Sequence, residues 1–242
     1  MSEVAIDDLG DEGNEITPFE VPSVGPIIGM HGGEEEGIRF PFFSIIHGVG
    51  NAFTKFPKNV GDFVYNGEVL IEKPIEVTFI GGQTYYVQNL PYDAQGPQPF
   101  RYKTVREVIA AGGNIRTGVP AGQDENNFRA SESDNIVILF GPAKKSWAVG
   151  LDLVIPNGNE ILVPAAWTLR KTAHWALNPQ LTMTGAALQK IGKSLPYQRW
   201  KLTTKTQKYG SGNSTSVPVL SKVEKLNEEK TVELMLSIFG PQ

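Results

Sequence analysis

The amino-acid sequence predicts a mainly β fold, a β-barrel or barrel-like sandwich carrying one or two short helices. Three observations predict it. Turn formers are abundant, with 26 Gly and 17 Pro in 242 residues, which suits many short strands. Apolar, β-branched runs are short and bounded by Gly, Pro or Asn, as at 135–141 and 160–170. No internal repeat and no heptad pattern runs through the chain.

The elements follow in order. Residues 1–37 are acidic, Gly/Pro-rich and without apolar periodicity, the composition of a disordered arm. Residues 38–242 read as a single β-rich domain, with 38–134 as a candidate subdomain. The apolar run 40–46 is a buried extended segment, and Gly48, Gly50 and Pro57 mark the turns after it. A turn and short strand occupy 61–67. Strands follow at 68–71 and 75–80, with Pro74 restricting the join between them. Gly81-Gly82 signals a hairpin turn into a further strand at 84–88. Residues 91–103 read as loop. Val105, Val108 and Ile109 lie at helical spacing, and Gly112-Gly113 ends that short helix. A long polar loop is expected over 112–134, then a strand at 135–141 and a turn at Lys144-Lys145. Strands at 147–155 and 160–170 flank the turn Pro156-Asn-Gly-Asn159 and complete a meander. A second short helix is expected over 182–191, capped by Thr182 or Thr184 and ended by Gly192 and Pro196. Strands at 199–206 and 215–222 flank a Gly/Ser turn at 209–214. Alternation of Val232, Leu234, Leu236 and Ile238 predicts a final half-buried strand.

Composition removes several function classes. Without cysteine, disulfides, thiolate metal sites and Cys nucleophiles are excluded. The opening MSEVAIDDLGDEGNE has neither the basic nor the apolar region of a signal peptide, and no run approaches a membrane span. A cytoplasmic location without membrane association is expected. The three histidines, His31, His47 and His174, are scattered and lack metal spacing. Neither Gly81-Gly82 nor Gly112-Gly113 has phosphate-loop spacing, and no Gly-x-Ser-x-Gly elbow occurs. No catalytic residue, metal site or cofactor is therefore expected.

Charge is segregated. The formal net charge is −4, yet residues 1–36 hold ten acids and no base, so 37–242 carries 22 bases against 16 acids. Between Glu160 and Glu224 there is no acid, while Arg170, Lys171, Lys190, Lys193, Arg199, Lys201, Lys205, Lys208 and Lys222 are all basic. Trp167, Trp175, Tyr197, Trp200 and Tyr209 are interleaved with them. Single-stranded nucleic acid needs both ingredients: cations at its phosphates and flat rings on which bases stack, at roughly 1–3 kcal/mol per base. The competing reading makes the rings core and the lysines a solvated face. A surface that bland normally mixes signs.

Strand alternation divides the candidates. Arg199, Lys201, Thr203 and Lys205 share one face and point outward at phosphates, while Trp200 and Leu202 point inward. Trp167 and Leu169 share an inward face, with Arg170 opposite. Trp175 and Tyr209 lie in turn-like surroundings and are the candidate stacking platforms. The expected binding set is Arg170, Lys171, Trp175, Lys190, Lys193, Arg199, Lys201, Lys205, Lys208 and Tyr209. Against such a groove, the acidic arm would act as a tethered competitor or recruit basic partners; alternatively it is a solubilising tail.

Three stretches carry a resemblance. They are Trp175-Ala-Leu-Asn-Pro-Gln-Leu-Thr-Met-Thr-Gly-Ala-Ala-Leu, Leu195-Pro-Tyr-Gln-Arg-Trp-Lys-Leu-Thr-Thr and Gly212-Asn-Ser-Thr-Ser-Val-Pro-Val-Leu. Together they resemble bacteriophage single-stranded DNA-binding proteins of the OB-fold type. In those proteins a short helix, a Pro-led basic strand, a Gly-rich turn and a further strand follow one another. Arg39-Phe-Pro-Phe-Phe-Ser-Ile-Ile with Gly61-Asp-Phe is similar to the opening of phage replication-region proteins. The likeness spans 60–80 residues and its motifs are compositional. It departs from that family in placing the acidic segment at the N-terminus rather than the C-terminus.

The resemblance implies an OB-like barrel and binding through Arg170, Lys171, Trp175, Arg199, Lys201 and Lys205. It also implies a viral protein of DNA replication or recombination, working in the host cytoplasm. The expected partner is single-stranded DNA, with RNA as the alternative, together with replication or recombination proteins. An open barrel edge offers a route to homo-oligomers. Two other classes compete: a phage structural or protein-interaction β-barrel with a basic face, and a nucleic-acid enzyme or its accessory subunit.

Overall fold

The computed structural model describes residues 40–91, 98–143, 153–208 and 214–239. Across them the chain is mainly β, with ten strands and four helices. A small antiparallel sheet holds β1 (Phe43–Ile45), β2 (Phe63–Tyr65) and β3 (Val69–Ile71) in that order. A larger antiparallel sheet is built on β4 (Ile75–Gln88), β6 (Phe128–Pro142) and β8 (Glu160–Arg170). Short β7 (Ile155–Asn157) flanks β8, and two-residue β5 (Arg101–Tyr102) pairs with the far end of β4. On the other side, β9 (Trp200–Lys208) joins β4 over three residues and pairs along its length with β10 (Ser214–Lys222). The order is β10-β9-β4-β6-β8-β7.

Among the described residues the two sheets lie face to face as a sandwich, and the expected barrel does not close: β10 and β7 end the large sheet as separate edges. One face of the large sheet offers Val77, Phe79, Val137, Leu139, Val163, Trp167 and Leu169 to the small sheet and to α3 (Thr172–Gln189). Trp167 is central, with its ring 5.1 Å from Phe43 and 6.3 Å from Phe79. Burying such a ring is worth on the order of 5 kcal/mol of transfer free energy. The opposite face offers Ile136, Ile138, Phe140 and Leu162 to α4 (Glu229–Phe239) through Met235 and Phe239. Strand β6 is therefore covered on both sides. This accounts for the unbroken apolar run from Ile136 to Phe140, all buried, since a strand covered on both faces has no polar side to alternate with.

Several expectations change. The Gly81-Gly82 pair does not turn the chain. It lies inside β4, beside a register shift between Phe79 and Gly81, so a bulge stands where a hairpin was expected. A Cβ at Gly82 would lie 2.4 Å from the Asp134 carbonyl oxygen, so glycine here permits close approach of β4 and β6. Gly82→Val should cost about 1–3 kcal/mol, seen as a lower urea midpoint at constant m-value. An unchanged midpoint would show that the two strands can separate at no cost.

The loop expected over 112–134 is shorter, because β6 already begins at Phe128. The final strand expected over 232–239 is a helix. Val232, Met235 and Phe239 are buried at spacings of three and four, whereas Leu236 and Ile238 are exposed. The alternating set fitted both periods, and the Glu, Lys, Leu and Met content favours helix. Helix α3 starts at Thr172, ten residues before the short helix expected from sequence. Pro179 and Gly185 disguised it. Leu177, Leu181, Thr184 and Leu188 face inward, and Pro179 lies on the exposed side, where the carbonyl it leaves unpaired meets water. The helix count also exceeds the one or two expected: α1 (Asn51–Lys55) stands where the sequence predicts turns, whereas α2 (Val105–Ala110) appears where predicted, capped by the Thr104 hydroxyl. The Lys144-Lys145 turn and most of the 147–155 strand lie outside the described residues.

Candidate nucleic-acid interface

The β9–β10 hairpin carries the densest cluster of exposed charge from the basic tract. Lys201 and Lys205 share one face of β9, as alternation predicts, and Lys208 ends the strand on the opposite parity. All three are exposed, and none forms an ion pair with a described residue. Inward, Trp200 is 1% exposed and Leu202 is fully buried, so the expected division of this strand is observed. Lys222 at the end of β10 places its ammonium 5.9 Å over the Trp200 ring. Lys73 reaches the same hairpin from the small-sheet side and donates to Thr204 Oγ1 at 2.9 Å.

Arg199 departs from the expectation. It does not present its guanidinium to solvent as a phosphate ligand. It stacks 3.9 Å over Phe140, and Nη1 donates to Glu160 Oε2 at 3.1 Å. Nη2 binds the other oxygen of Glu160, and Nε lies 2.5 Å from Glu76. Two carboxylates already neutralise this charge. The acid-free tract concealed them because both partners come from outside it, Glu160 at its boundary and Glu76 on β4.

Arg170, Lys171 and Trp175 form a second group where β8 passes into α3. Lys171 is the N-cap of α3 with φ 45°, and the Lys171 carbonyl accepts from the Trp175 amide at 2.9 Å. Trp175 is 46% exposed although it stands on the first turn of a helix rather than in a turn. Its indole Nε1 donates to the Ala130 carbonyl at 3.3 Å, which fixes the ring and leaves its flat face available. Arg170 Nε lies 3.4 Å from buried Glu132, which Arg101 also binds. Arg101 and Arg129 both face Val87 across the sheet. Arg101 was missed because register, not proximity in sequence, brings it to Glu132 beside Arg170. Nearby, burial first and the Asp134 carboxylate second push the Tyr85 phenol up. Asp134 also accepts from Thr168 Oγ1 at 2.7 Å.

The two groups do not form one groove. Register places Lys201 opposite Glu76 and Phe140, and Arg170 opposite Glu132. Eight residues of β6 separate those levels, roughly 26 Å, and Lys205 lies about 13 Å farther along β9. Lys190 is exposed at the C-cap of α3, and Lys193 rests 5.1 Å over Tyr197. Tyr209 lies outside the described residues. Among the described residues, no cluster of His, Asp or Glu is placed to hold a metal, and no helix is long and apolar enough to cross a membrane. No family model matches the chain, and neither a curated protein nor a solved structure matches it.

Proposed function

We propose that this chain is a non-enzymatic, sequence-independent single-stranded DNA-binding protein that protects exposed strands during phage replication or recombination. The observation carrying the reading is the pair Lys201 and Lys205 on one face of β9, with Lys208 at the strand's end on the opposite parity. Three exposed cations stand on a hairpin without an acid and without ion-pair partners among the described residues. Such cations neutralise phosphates and make binding salt-dependent. Trp175, clamped through its indole N–H and flanked by Lys171, supplies a stacking surface. A second reading, a structural or interaction protein with a basic face, is favoured by the open edge of β10, which offers pairing to another chain or to a second copy.

Titration with poly-dT separates the two. Trp167 and Trp200 are 3% and 1% exposed and serve as a constant background. The fourth tryptophan, Trp147, lies outside the described residues, so substitution assigns the signal: quenching should come from Trp175, weaken with salt, and be largely lost in Trp175→Ala. The loss of about 1–3 kcal/mol per stacked base corresponds to roughly 5- to 150-fold in affinity. Absence of both quenching and binding at low salt would reject the nucleic-acid reading in favour of the protein-interaction one.

A further inference from the structure

A cleft of ≈ 380 Å³ opens between the β7–β8 turn and the segment entering α4. That is within the usual range of small-molecule sites, about 300–1,000 Å³. Phe140, Asn157, Asn159, Glu160, Arg199 and Asn227 line it. Arg199 is its most constrained group. Phe140 supports one face of the guanidinium at 3.9 Å, Glu160 holds both terminal nitrogens, and Glu76 faces Nε at 2.5 Å. With both edges neutralised, this arginine has little left to offer a phosphate. What it retains is a fixed, flat, weakly hydrated plane, a surface on which bases stack.

The rest of the lining is suited to the edge of a base. The Asn157 and Asn159 side chains hydrogen-bond to no described residue, so their amides keep both donors and acceptors. Glu160 and Glu228 are matched by Arg199 and Lys225, with Glu76 behind, so the cleft has no surplus positive charge for an anion. Position supplies the connection: Lys201 follows Arg199 by two residues on the same face of the strand, and Lys205 follows by six. A backbone running along those lysines passes the mouth of the cleft.

We propose that the cleft receives one nucleobase of a bound single strand. The base stacks on the Arg199 plane and its edge meets the Asn157 and Asn159 amides, while the phosphates pass Lys201 and Lys205. This assignment rests on the single-strand reading above and adds a base-specific contact to it.

The test uses the full chain and two strands of about 12 nucleotides, within the usual range of site sizes. One is oligo-dC and the other an all-abasic deoxyribose-phosphate chain of the same length. Wild type should bind oligo-dC at least about 5-fold more tightly, the lower end of one stacked base. Asn159→Trp, at an exposed turn position, fills the cleft. Arg199→Lys keeps the charge but removes the plane. Each variant that retains a cooperative melt should reduce the preference at least about 5-fold below that of wild type, the lower end of one stacked base, leaving only the share that belongs to Trp175. Equal affinity of wild type for both strands overturns the base site and leaves phosphate binding standing. A preference as large as that of wild type in either folded variant also overturns it. Failure of wild type to bind either strand overturns the single-strand reading itself.

Discussion

Replacing Lys201, Lys205 and Lys208 together by glutamate should weaken binding of poly-dT at 50 mM salt by roughly 500-fold or more. Each phosphate contact on a single strand contributes about 0.7 to the slope of log affinity against log salt. Three contacts at 50 mM are therefore worth roughly 500-fold relative to 1 M salt, before any repulsion from the new carboxylates. The slope itself should fall by about 2. All three side chains are exposed, so the variant should melt as wild type does. Unchanged affinity with an unchanged slope would remove the β9 row from the interface. Arg199 does not belong to this set. Its charge is held between Glu76 and Glu160, and reversing it would disturb stability together with binding.

Acid should destabilise the fold through His174 in the pH range between about 6.5 and 4. This side chain is 3% exposed, and neither ring nitrogen has a hydrogen-bond partner. Burial lowers its pKa to about 4. The sign follows from linkage. The folded state keeps the ring neutral while the unfolded chain takes up a proton below its ordinary pKa of about 6.5, so the unfolded state gains as pH falls. The loss begins near 6.5 and is complete below 4. At about 1.36 kcal/mol per pKa unit it reaches at most about 3 kcal/mol, or roughly 6–12 °C in melting temperature for a chain of this size. His174→Phe should lack this component, so the gap in melting temperature between variant and wild type should widen from pH 7.5 to pH 4.5. Parallel pH profiles would mean that the ring is solvated or hydrogen-bonded. Since His174 adjoins Trp175 on the first turn of α3, the same acid range should also loosen the stacking platform.

The sequence disclosed what depends on neighbours along the chain. The strands at 61–71, the short helix before Gly112-Gly113, the reversal at Gly158-Asn159 inside the expected 156–159 turn, and the inward Trp167 and Trp200 follow from alternation, helix ends and turn residues. It concealed what depends on partners far away. Gly81-Gly82 looks like a turn until the carbonyl of Asp134 is placed against it. Arg199 looks free until Glu76 arrives from β4. The alternation at 232–239 satisfied two periods, and only burial of Met235 and Phe239 against the sheet decides between them. The same limit applies to the interface. A basic tract continuous in sequence is divided between two ends of a sheet, and the arginine that shares Glu132 with Arg170 comes from β5.

The junction of β9 with β4 has a consequence for assembly in time. Trp200 pairs with Val77 and Leu202 with Ile75, so this seam joins segments more than a hundred residues apart, and closing so long a loop is slow compared with forming the β6–β8 ladder. During synthesis the Ile75–Val77 stretch of the β4 edge has no partner until the chain beyond residue 200 has emerged, a period in which an open strand is exposed to aggregation. The lysine-bearing hairpin is the piece that closes this edge. The positively charged surface therefore comes into place only as the sheet is completed, and a chain halted before residue 200 lacks both the seal and the charge.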